Sequence, residues 1–129
     1  MKLSDMATVI RSKNAGPFEL TFDVLFATHA EFERVVRSEV LSAKKFAELF
    51  HIPTADVLSV VEFEPALAIK VTIKRSRSSG AFGETDVYGA QQHAPLLQVE
   101  VPRSLKCRLI KSIVLRMARC EDSSSYVCL

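Results

Sequence analysis

No apolar run in the sequence approaches the roughly 18 residues that read as a membrane-spanning helix, and residues 1–11 lack the apolar stretch of a secretory leader. A cytoplasmic protein away from membranes is expected. Cysteine is scarce: Cys107, Cys120 and Cys128 stand 13 and 8 residues apart, with no histidine near them. That spacing matches neither a Cys-x-x-Cys pair nor a zinc set, so free thiols in a reducing compartment are expected. Cys128 lies second from the end, where prenylation requires the fourth. The three histidines form no His-x-x-x-His pattern, and no glycine precedes a Lys-Ser or Lys-Thr pair. The sequence therefore points to no metal and names no cofactor.

Net charge is also small, at +2, and it is unevenly placed. Residues 1–104 carry 12 Lys+Arg against 13 Asp+Glu, whereas residues 105–129 carry 5 against 2. The larger part is electrically neutral, which gives no basic surface for a phosphate backbone, and no nucleic acid is expected as a partner. With 129 residues and 48% apolar content, the chain has the length and composition of one folded domain. We expect that domain over residues 1–104. Residues 105–129 are expected to be a basic, cysteine-containing tail, either disordered or a short helix along Leu105, Leu109, Ile113 and Met117.

Secondary structure is legible from periodicity. Ser4 before Asp5-Met6-Ala7-Thr8-Val9-Ile10 predicts a short helix with Met6, Val9 and Ile10 on one side. Arg11-Ser12-Lys13-Asn14-Ala15-Gly16-Pro17 should break it and turn the chain. Residues 18–26 alternate strictly: Phe18, Leu20, Phe22, Val24 and Phe26 share one face, and Glu19, Thr21 and Asp23 the other, which predicts a half-buried strand. Thr28 and Glu31 have capping-box spacing and open a helix carrying Phe32, Val35 and Val36 inward. A second helix from about Ser42 buries Phe46, Leu49 and Phe50 and stops before Pro53. His29 and His51 fall at helix ends, where an exposed or capping imidazole is the plain reading.

Residues 57–63 and 66–75 read as adjacent antiparallel strands joined at Pro65, with Lys70 and Lys74 facing away from Leu67 and Ile69. The apolar-free Arg75-Ser76-Arg77-Ser78-Ser79-Gly80 predicts a flexible connection, and residues 96–101 a closing strand. Helices segregated on one face of a mainly antiparallel sheet make an α+β sandwich, and a single ferredoxin-like arrangement is the expected fold.

Between that connection and the closing strand runs Gly80-Ala81-Phe82-Gly83-Glu84-Thr85-Asp86-Val87-Tyr88-Gly89-Ala90-Gln91-Gln92-His93-Ala94-Pro95-Leu96, which holds three of the four glycines. Together with the Arg11–Gly16 turn it is the candidate site, since binding groups concentrate on loops held by a rigid sheet. Arg11 has a planar fork for a carboxylate, Lys13 a point charge, and Asn14 both a donor and an acceptor. Tyr88 would be a pocket wall or interface anchor, and Gln91 and Gln92 would bind ligand or satisfy the loop's own backbone. Asp86 and His93 would serve as acid and base if the fold brings both to one ligand.

Three motifs carry a family resemblance: Ile10-Arg11-Ser12-Lys13-Asn14-Ala15-Gly16-Pro17-Phe18, Pro65-Ala66-Leu67-Ala68-Ile69-Lys70, and Asp86-Val87-Tyr88-Gly89-Ala90-Gln91-Gln92-His93-Ala94-Pro95-Leu96. In that order they resemble a family classed as a domain of unknown function, DUF4387, over about residues 3–102. The resemblance implies association with AtuA-like proteins, named for acyclic terpene utilisation. Arg11-Ser12-Lys13-Asn14-Ala15-Gly16 is also similar to the Arg-Ser-Gly-Asp-Lys-Gly start of the AtuA-like C-terminal ferredoxin-fold domain. What these likenesses imply is a partner: a small accessory subunit docking on an AtuA-like protein and helping to form a site for a small carboxylate or acyl thioester. The alternative is an independent hydro-lyase or isomerase of a small organic acid, using Asp86 and His93 for proton transfer.

Overall fold

A computed structural model describes residues 1–103, and the expected tail over 105–129 lies outside the described residues. The elements are α1 (Leu3–Met6), β1 (Ala7–Asn14), β2 (Glu19–Phe26), α2 (His29–Ser38), α3 (Ala43–Phe50), β3 (Val57–Phe63) and β4 (Ala68–Lys74). Single 3-10 turns occupy Thr54–Asp56, Glu64–Ala66 and Ala94–Gln98. The strands form one antiparallel sheet in the order β1-β2-β4-β3, so two hairpins meet along β2 and β4. The fold is α+β, with a four-stranded antiparallel sheet and three helices. Its element order is ββααββ after α1, which departs from the βαββαβ order of the expected ferredoxin-like arrangement.

The sheet's register explains its two faces. Asn14, Leu20, Ile73 and Val57 stand in one cross-strand row, and Ser12, Phe22, Val71 and Val60 in the next. The helices cover this face: Phe32 and Val35 of α2 and Phe46 of α3 join Phe22, Val24, Ile69 and Val71 in the buried core. Phe22, Phe46 and Phe50 pack with ring centroids 4.5–5.0 Å apart, the spacing at which aromatic rings attract beyond simple burial. On the opposite face lie Arg11, Asp23, Lys70 and Val61, and beside them Lys13, Thr21, Thr72 and Ser59.

The capping box opens α2 as expected: Thr28 Oγ1 accepts from Glu31 N at 3.3 Å, and Glu31 Oε2 accepts from Thr28 N at 3.2 Å. His29 is the first residue of α2 and His51 caps the end of α3, both at helix ends as their positions suggested. Phe18 is not a core residue; it stands at the β1–β2 turn, largely exposed.

Three expectations are corrected. The N-terminal helix ends at Met6, and the β-branched Thr8, Val9 and Ile10 extend into β1 because pairing with β2 outweighs a weak helical start. Arg11, Lys13 and Asn14 are consequently strand residues, and the reversal is confined to the segment after Asn14, where Gly16 has a φ of 88° and Ala15 N donates to Glu19 O. Residues 96–101 are not a sheet strand. Pro95 opens the 3-10 turn with fully buried Leu96, and the following arm pairs with the N-terminus through Leu3 N to Val99 O and Val101 N to Met1 O, each 2.8 Å. Among the described residues no helix is long and apolar enough to cross a membrane.

Candidate functional site

After β4 the chain leaves regular structure until Ala94, and one side chain organises that stretch. Arg75, immediately beyond β4, places its guanidinium Nη2 3.1 Å from Glu84 Oε2, with the two side chains only 7% and 13% exposed. The same guanidinium donates to the backbone carbonyls of Asp86 and Val87 and to Asn14 Oδ1. Its planar fork suits this task, because it reaches several oxygens at once without losing its charge. Asn14 continues the network, donating from Nδ2 to Ser79 Oγ at 3.0 Å and to Val87 O. Ser79 Oγ in turn donates to Val87 O at 2.7 Å. The loop also completes the edge of the sheet, since Asn14 N donates to Tyr88 O at 2.9 Å.

Gly89 is required where the loop meets β1. Its φ is +66°, and a Cβ there would collide with Leu20 Cδ1 and stand 2.8 Å from Asn14 Oδ1. Asp86 closes the following turn: Oδ1 accepts from Ala90 N at 3.1 Å, and Oδ2 from Gln91 N at 3.0 Å and Gln92 Nε2 at 2.9 Å. The Gln92 amide, followed by the backbone donors, holds the Asp86 carboxyl below its ordinary range against the opposing effect of desolvation. Glu84 is lowered as well, first by the Asp86 backbone N–H and then by Arg75. Farther along, Ser12 Oγ accepts from Gln92 N at 3.1 Å and lies 3.4 Å from His93 Nδ1.

The structure thus joins Asn14, Asp86, Gln92 and His93 into one network along the β1 edge. It does not bring Arg11 or Lys13 there. Both project from the opposite sheet face, where Arg11 Nε pairs with Asp23 Oδ2 at 3.0 Å. Tyr88 and Gln91 are exposed, with the Gln91 backbone committed to Asp86. Sequence reasoning missed Arg75, Glu84, Ser12 and Ser79. The one available signal was an arginine ending an alternating strand ahead of an acidic Glu84-Thr85-Asp86 segment.

Beside this network, on the helix side of the sheet, opens a cavity of about 490 Å³ that reaches from Ile52 and Phe50 to Arg77 and Thr85. A separate polar cluster surrounds the start of α2, where His29 Nε2 lies 2.9 Å from Glu64 Oε1 and Nδ1 lies 3.7 Å from Glu33. Hydrogen bonding to Glu64 raises the imidazole pKa. Among the described residues no group of three or more His, Cys, Asp or Glu could hold a metal ion.

These features define a small α+β module with a polar loop locked against a sheet edge. The family model described as Domain of unknown function (DUF4387) matches residues 3–100, and the chain belongs to that family. No curated protein and no solved structure matches the chain.

Proposed function

We propose that the protein is an accessory module that docks on an AtuA-like partner and helps form a site for a small carboxylate or acyl thioester. The observation that carries this reading is the loop's outward face. Phe82 is fully exposed, and Tyr88, 80% exposed, and Val87, 44% exposed, stand on a backbone held by Arg75 and Asn14. Phe18 stands near the base of the same loop, where its carbonyl accepts from Arg75 N and that of Pro17 from Ser79 N. Large apolar side chains exposed on a loop whose backbone is fixed at Val87 and Tyr88 are the composition of an interface anchor, because docking there costs little ordering entropy. The motif resemblance to an AtuA-associated family favours that partner, and cysteines with no disulfide spacing favour a cytoplasmic setting.

Proton transfer by Asp86 and His93 has less support. Both Asp86 oxygens are already occupied by donors from Ala90, Gln91 and Gln92, and the depressed pKa leaves the group ionised rather than able to give a proton at neutral pH. Co-expression with an AtuA-like protein tests the docking reading. The two should co-purify, and Phe82→Ser with Tyr88→Ser should weaken the complex by about 100-fold without lowering the Tm of the free chain. A wild-type chain that stays monomeric beside its partner, or a double variant that binds equally well, overturns it.

A further inference from the structure

The cavity beside the loop has two unlike sides. Ile73 is buried and Phe50 and Ile52 half-buried along its wall, while Ser76, Arg77 and Thr85 are exposed at its mouth. We infer that this cavity binds a monocarboxylate with an apolar body, the body lying against Phe50, Ile52 and Ile73 and the carboxylate meeting Arg77. This rests on the reading of the protein as a module that contributes to a ligand site, and it names where the ligand sits and what it is.

Arg77 has donors to spare. Arg75 is committed to Glu84 and to loop carbonyls, whereas among the described residues the Arg77 guanidinium makes a single long contact, Nη1 to Gly83 O at 3.4 Å. The hydroxyls of Ser76 and Thr85, at the same mouth, have no hydrogen-bond partner among the described residues. An arginine fork with nearby hydroxyls is a fitting receiver for a carboxylate.

Charge limits the valence. Lys74 alternates with Ile73 in β4 and faces the opposite side of the sheet, and Arg75 is paired with Glu84, so the charges left at the cavity are Arg77 and the carboxylate of Asp56. A single carboxylate can pair with Arg77, whereas a dicarboxylate or phosphomonoester would set a second negative charge in a cavity that already holds Asp56. The volume of about 490 Å³ suits a small organic molecule, and the apolar wall favours one with a hydrocarbon chain over acetate or succinate.

The test is a titration of the ¹⁵N-labelled full chain with octanoate, followed by amide chemical shifts, with octanol, octylamine, acetate and succinate as controls. Octanoate should shift the amides of Ile52, Gly83 and Thr85 in a saturable way. Arg77→Gln should weaken it about tenfold, the loss of one charge-assisted contact, with an unchanged spectrum elsewhere. Octanol or octylamine binding as tightly as octanoate, equal affinity in Arg77→Gln, or no shift at those amides each overturns the inference. The chain needs no partner in this experiment. Octanoate binding without association with an AtuA-like protein would sink the docking reading alone, and association without octanoate binding would sink this one alone.

Discussion

Arg75 and Glu84 form an ion pair at 3.1 Å, largely shielded from water, between the end of β4 and a loop that has no regular secondary structure of its own. Breaking a shielded pair from one side leaves the other charge uncompensated, while removing both sides leaves none. Arg75→Met should therefore lower the Tm by several degrees and raise amide exchange across residues 84–89. Arg75→Met with Glu84→Leu should recover part of the lost Tm but not the protection of residues 86–88, because the Asp86 carbonyl still lacks the guanidinium and that of Val87 keeps only Asn14 and Ser79. Thermal melts and hydrogen exchange on the two variants measure this, and a single variant as protected as wild type would remove Arg75 as the loop's organiser.

The loop should also loosen in acid before the sheet does. Asp86 and Glu84 have folded-state pKa values below their ordinary 3.8 and 4.5. A carboxylate depressed by folding contributes stability that is fully present above its unfolded value and is lost as pH falls through the folded one. The window therefore opens near pH 4.5 and extends below 3.8. Amide protection at Ala90 and Gln91 should fall across that range while protection in β2 and β4 holds. Asp86→Asn should flatten the dependence at Ala90 and Gln91, since its side chain no longer titrates. Simultaneous loss of the loop and the sheet would refute a separate acid-sensitive step.

Gly89 fixes how closely the loop approaches β1. Alanine there would adopt a left-handed backbone and press its methyl into Leu20 and Asn14. The combined conformational and steric cost is about 2–4 kcal/mol. Gly80→Ala has the same positive-φ strain but open space around the new methyl, so its loss should be smaller. Denaturant unfolding of the two variants compares them directly, and equal losses would show that crowding at Gly89 is unimportant.

Where core packing dictated the pattern, the sequence was readable. The alternation of Leu20, Phe22, Val24 and Phe26 follows from one face of β2 being buried under α2 and α3, and the Thr28–Glu31 box from unmet N–H groups at a helix start. β1 escaped detection because its core-side residues are Ile10, Ser12 and Asn14: an edge strand covered by a polar loop needs hydrogen-bonding side chains there, so the apolar period of two is absent. The meeting of Asn14 with the 86–93 segment was foreseeable as one site, yet not the exclusion of Arg11 and Lys13. Alternation in an unrecognised strand sends odd and even positions to opposite faces. Arg75 looked like a flexible cation among serines, since its partners lie 9 to 61 residues away in number and only the folded loop brings them together.

Thr21 occupies the middle of the sheet face away from the helices, in the row with Lys13 and Thr72, and is 1% exposed. Its Oγ1 is buried without a hydrogen-bond partner among the described residues. A hydroxyl held out of water with nothing to bond forfeits roughly 1–3 kcal/mol, and valine has nearly the same shape and a strong preference for strands. Thr21→Val should stabilise the fold by about 1 kcal/mol, raising the Tm by about 4 °C. Thr72→Val, its half-buried neighbour in the row, should change stability little. Calorimetry on both variants decides the matter: a destabilised Thr21→Val would mean that the hydroxyl is satisfied in solution by a donor or acceptor reaching that face, and it would redirect attention to the sheet's outer side.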